Sequence, residues 1–88
     1  MLQKTISHTA RIAVKIRVLR RNREYSQEYM ALLLNISQNA YSRLENGKTP
    51  ITIDRMYQIC TILQVSPVVL LESEEATVPQ GEWHRSRY

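Results

Sequence analysis

SQEYMALLLNISQNAYSRLENG, residues 26–47, divides into two short apolar-patterned stretches around one turn. Ser26 offers a side-chain oxygen to the free amides of a first helical turn, and Met30, Ala31, Leu33 and Leu34 supply a buried side for the helix it opens. Asn35 interrupts this run where a left-handed residue is favourable, because its short polar side chain tolerates positive φ. Ser37 is a second N-cap, opening a helix over Gln38–Asn46 that Gly47 closes in the left-handed conformation. The pattern predicts two short helices joined by a tight turn, each too short to be stable unless it packs on neighbours.

Those neighbours are legible on both sides. Upstream, Ile12, Ile16 and Leu19 recur at helical spacing between Thr9 and Arg23 and predict a helix with one core-facing stripe. Downstream, Pro50 enforces a gap and Thr52 caps a helix with Asp54 in its first turn, where a carboxylate meets the positive end of the dipole. Ile53, Met56, Ile59, Cys60 and Leu63 are expected on one face of that helix. Ser66-Pro67 reads as an N-cap with proline at the first helical position, opening a last helix to about Glu72. Residues 9–72 therefore form an all-α domain of five helices between an arm at 1–8 and a tail at 73–88. Pro79, Gly81 and lost periodicity make that tail extended or disordered, with an added strand the lesser alternative.

Composition narrows the function. The chain has 88 residues, 43% hydrophobic and 23% charged, enough for one small core and too few for a second lobe around a deep substrate cleft. The longest apolar runs, Met30–Leu34 and Pro67–Leu71, fall far short of the roughly 20 residues that cross a bilayer, and the N-terminus lacks a secretory signal, so a cytoplasmic protein without a membrane partner is expected. One cysteine, Cys60, excludes an internal disulfide, and with His8 and His84 distant from it no metal site and no cofactor are expected. No phosphate loop or nucleophile–base constellation supports an enzyme.

The formal charge of +4 is unevenly placed. Residues 1–24 carry Lys4, Arg11, Lys15, Arg17, Arg20, Arg21 and Arg23 against Glu24 alone, whereas residues 72–88 carry four acids against Arg85 and Arg87. Such asymmetry points to a polyanionic partner. At about 100° per residue, Gln38, Ser42, Asn46, Asn39 and Arg43 share roughly 140° of the second short helix, opposite Ala40, Leu44 and Tyr41. A helix that reads DNA needs this division: one face anchored, the other presenting amides and a guanidinium to base edges.

These residues resemble a known family. SQEYMALLLNISQNAYSRLENGKTP followed by TIDRMYQICTILQVSPVVLLE looks like the lambda-repressor-like helix-turn-helix domain of the Cro/C1 type, or XRE family, over residues 10–72. The most specific parts are Ser26-Gln27, Ala31 and Ser42-Arg43-Leu44-Glu45-Asn46-Gly47. Two residues depart from the family pattern. Asn35 stands where glycine is usual, and Tyr41 stands where a branched aliphatic is usual, which leaves the packing beneath the reading helix open.

The resemblance implies roles. Gln38, Asn39, Ser42 and Arg43 occupy the base-reading positions, where Gln or Asn suits adenine and Arg suits guanine. Gln27, Asn46, Lys48 and Thr49 match phosphate contacts. Arg20 and Glu45 match a partly buried structural ion pair that sets the reader's angle, while Arg17, Arg21 and Arg23 are expected in solvent or near flanking phosphates. The implied function is a sequence-specific double-stranded-DNA-binding regulator of bacterial or phage origin. It is expected to repress from a palindromic operator as a homodimer, with a protein partner conceivable through the tail. The alternatives are an antitoxin that autoregulates its operon and a helix-turn-helix-derived protein-interaction module. Val14 and Val18 form a second apolar stripe on the first helix that calls for a cover, from the N-terminal arm, from the tail with Val78 and Trp83, or from another copy. Val69, Leu70 and the tail are the expected dimer contacts.

Overall fold

The computed structural model describes residues 7–72. It contains five helices: α1 (His8–Asn22), α2 (Gln27–Leu34), α3 (Gln38–Glu45), α4 (Ile53–Leu63) and α5 (Pro67–Leu71), with no strand among the described residues. The expected arm at 1–8 lies outside the described residues except for its last two positions, and the tail at 73–88 lies wholly outside them. His8 opens α1 instead of ending the arm, because Ser7 Oγ accepts from the Ala10 amide at 3.1 Å and starts the helix one residue early.

The other caps act as their chemistry predicts. Ser26, Ser37, Thr52 and Ser66 are extended, and their side-chain oxygens accept from Tyr29, Ala40, Arg55 and Val68 amides. Asn35 closes α2 at φ 60°, and its amide and that of Ile36 return to carbonyls of the last turn. Glu24 and Gln64 also take positive φ, at 61° and 58°, although nothing in the sequence pattern marks either position. Gly47 has φ 72°, and a Cβ there would lie 3.3 Å from Ala10 Cα, so glycine is needed both for the turn and for the approach of α3's end to the start of α1.

One core joins all five helices. Ile16 of α1, Met30, Ala31 and Leu34 of α2, Tyr41 and Leu44 of α3, Met56, Ile59, Cys60 and Leu63 of α4, and Leu70 of α5 are buried together. Three expectations need correction. Leu33 is 47% exposed, because the buried arc of α2 runs through Met30, Leu34 and Ala31 and leaves Leu33 beyond its edge. Ile53 is 66% exposed, standing at the first position of α4, before the turns that carry its buried face. Leu70 is buried at the α5 contact, which removes it as a dimer contact and leaves Val69 on the surface. No described helix is long and apolar enough to cross a membrane, and no described group of His, Cys, Asp or Glu could hold a metal ion.

Candidate nucleic-acid interface

The core fixes one side of α3 and turns the other outward. Tyr41, Leu44 and Glu45 are buried, Gln38, Asn39 and Arg43 are exposed, and Ser42 is half-buried between the two sides. A helix of eight residues is held in place by such packing, here through Tyr41, Leu44 and Glu45, and the exposed residues are displayed on that support.

The anchor is a hydrogen-bonded carboxylate. Arg20 of α1 directs Nε to Glu45 Oε2 at 2.5 Å and Nη2 to Oε1 at 3.1 Å, a two-point contact. Its Nη1 reaches the Tyr25 carbonyl at 2.8 Å. The Tyr41 hydroxyl donates to Glu45 Oε2 at 2.5 Å and Gln27 Nε2 donates to Oε1 at 3.1 Å. Both partners of the ion pair are buried. Burial pushes the Glu45 carboxyl up, and hydrogen bonds from Arg20, Tyr41 and Gln27 overcome it, leaving the group below the usual carboxylate range. The Glu45 hydrogen bond raises the Arg20 guanidinium against the effect of burial. Burial and then the bond to Glu45 push the Tyr41 hydroxyl well above its ordinary value.

Tyr41 thus answers the packing question its sequence position raised. Its ring is fully buried under α3, and its hydroxyl reaches the Glu45 carboxylate. No local pattern reveals this, although Tyr41 and Glu45 are four residues apart on one helix and can meet.

The residues matched to phosphate contacts are divided by the structure. Lys48 is exposed and Thr49 half-buried just beyond α3. Asn46 is exposed but accepts a 2.7 Å hydrogen bond from Arg17 Nη2 through its Oδ1. Gln27 points inward, toward Glu45. Arg17, expected in solvent or near flanking phosphates, instead bonds the Glu45 carbonyl at 3.3 Å as well, placing its charge at the negative end of the α3 dipole. Arg21 and Arg23 are exposed. Arg55 joins the site without any signal in the sequence pattern. With Arg43 and Thr49 it lines an open groove of about 270 Å³ between α3 and α4, its Nη1 held by the Gln58 Oε1 at 2.9 Å.

Two α-helices joined by an αL turn, the second with an exposed polar face, have a family counterpart: a family model described as Helix-turn-helix matches residues 16–70. The chain belongs to the Cro/C1-type helix-turn-helix family. The match begins within α1 and takes in α2 to α4 and most of α5, so both Arg20 and Glu45 lie inside it. Comparison with curated protein sequences returns no match. Among solved structures, the clp gene regulator ClgR from C. glutamicum is similar in fold, with a TM-score of 0.71 over 74% of this chain and 84% of that one, at 18% identity. In the helix-turn-helix arrangement α2 and α3 are the two helices on either side of the turn at Asn35.

Proposed function

We propose that the chain is a sequence-specific double-stranded-DNA-binding transcriptional regulator of the bacterial or phage cytoplasm, a repressor that acts as a homodimer on a palindromic operator. The observation that carries this reading is the division of α3: Gln38, Asn39 and Arg43 face solvent while Tyr41, Leu44 and Glu45 are locked beneath them. Family membership supports the same reading.

In this mechanism α3 enters the major groove. Arg43 pairs with guanine, Gln38 and Asn39 read adenine, and Ser42 makes a shorter contact to a base edge. Lys48, Thr49 and Asn46 hold the phosphate backbone beyond the reader, with Asn46 oriented by Arg17. Gln27 holds Glu45 through one amide proton and keeps the second for a phosphate, so it ties the DNA backbone to the anchor of α3. A single short reader touches few bases, which favours two copies on a two-fold site.

Selection from a random duplex pool at physiological salt tests this. The expected result is a palindrome with half-sites about one helical turn apart, and relaxed preference at one base pair for Arg43→Ala. Binding without an enriched sequence, or no binding, overturns base readout and favours a protein-interaction role.

A further inference from the structure

The face of α1 turned away from the core is apolar and basic at once. Val14 and Val18 are 58% and 51% exposed, and with Lys15, Leu19 and Val69 they line an open depression of about 440 Å³. Arg21, also exposed, continues the Val14–Val18 row at helical spacing. The Lys15 ammonium donates to the main-chain carbonyls of Val69, at 3.3 Å, and of Glu72. Helix α1 therefore grips the end of α5 through Lys15, which also lines this depression, and the last described residue, Glu72, lies one turn further along α1 beside His8, Arg11 and Ile12.

The segment of sequence just beyond α5 complements that face. Residues 73–83 contain Glu74, Glu75 and Glu82 and no basic residue, together with Val78 and Trp83. We propose that this segment docks on α1 of its own chain, Val78 and Trp83 filling the depression beside Val14, Val18 and Val69, and the acids facing Lys15 and Arg21. Reach is ample, since eleven extended residues span up to roughly 36–40 Å while Val14 and Val18, four residues apart on α1, are separated by only about 6 Å along the helix. The two other occupants fit less well. A second copy docking through the same face would bring the Lys15 and Arg21 charges of both chains together. Residues 1–6 contain Lys4 and no acid to meet them.

Trp83 is the chain's one tryptophan, so the fluorescence of the intact protein reports the contact directly. The expected result is blue-shifted emission, protected from a soluble quencher and unchanged on dilution. Val14→Asn with Val18→Asn should shift it to the red while circular dichroism holds constant, and Leu32→Asn, at a position 73% exposed in α2, should not. Glu74→Gln with Glu75→Gln leaves every described residue intact and should also weaken protection, which keeps the test decisive should the valine variant fail to fold. Emission typical of solvated tryptophan overturns the proposal. So does a blue shift lost on dilution, which assigns the face to a second copy, or a blue shift that both pairs of substitutions leave unchanged.

Discussion

Arg20 and Glu45, 25 positions apart in sequence, meet through Nε and Oε2 at 2.5 Å and Nη2 and Oε1 at 3.1 Å, fastening the last turn of α3 to α1. A buried pair of this kind is costly to break from one side, because the remaining charge keeps its desolvation penalty and loses its compensation. Arg20→Ala and Glu45→Ala should each destabilise by about 3–5 kcal/mol. In a double-mutant cycle followed by urea unfolding, the double variant should lose clearly less than the sum of the two. Additive losses would mean that the two residues act independently.

Tyr41→Phe keeps the ring in its buried site and removes one donor from the Glu45 carboxylate. A hydrogen bond to a charged group contributes about 1.5–3 kcal/mol, so a loss of that order is expected in thermal or urea unfolding. The sequence preference on DNA should change little, since Tyr41 faces away from the exposed arc of α3.

The same network sets a pH profile. The folded Glu45 carboxyl is depressed below its ordinary 4.5, so its stabilisation is present above that value and drains as pH falls through the lower folded one. Tyr41 is shifted the other way, above its ordinary 10.0, so its contribution is whole below about that pH and declines as the solution becomes more alkaline. Stability measured against pH should fall at both ends. Glu45→Gln should flatten the acid limb, and Tyr41→Phe the alkaline one.

Backbone conformation offers a contrast between three sites. Gly47→Ala places a Cβ at φ 72° and 3.3 Å from Ala10 Cα, and should cost at least about 1–2 kcal/mol. Gln64→Gly, at φ 58°, should instead gain up to about 1 kcal/mol by relieving the left-handed strain, less the flexibility that glycine adds to the unfolded chain. Asn35→Gly should gain less, because asparagine already tolerates this region. Melting temperatures of the three variants give the order directly.

On DNA, Arg43→Ala and Lys48→Ala should fail differently. Loss of a bidentate base contact costs about 1–3 kcal/mol on the preferred site and little elsewhere, whereas loss of a phosphate contact weakens all sequences alike and lowers the salt slope by about one. Binding titrations at several salt concentrations on a selected site and on unrelated duplex separate the two roles. Equal, sequence-independent losses for both would remove Arg43 from base readout.

Helix number and order come from local chemistry. A serine or threonine oxygen two or three residues before a free amide, an asparagine able to turn left-handed and a proline suited to a first turn act over a few residues, so Ser26, Ser37, Thr52, Ser66, Asn35 and Pro67 can be read one window at a time. The polar arc of α3 is equally local, being periodicity over nine residues. Leu33 and Ile53 escape such a reading because an apolar side chain shows only that it can be buried, and a short helix buries only the arc its neighbours reach. The αL residues Glu24 and Gln64 carry no signal, since neither side chain favours that conformation.

The partners of charged groups depend on assembly. Arg17, Arg20, Arg21 and Arg23 are alike as letters in one basic stretch, yet the first reaches the end of α3, the second is buried on Glu45, and the last two face solvent. Gln27 turns to Glu45 and Tyr41 spends its hydroxyl there because packing α1, α2 and α3 around one core brings their donors to the same carboxylate. Caps, turns and helical stripes are written within a few residues and survive as sequence. A buried carboxylate with donors from three helices exists only once the chain has folded, because burial is what makes each of those donors necessary.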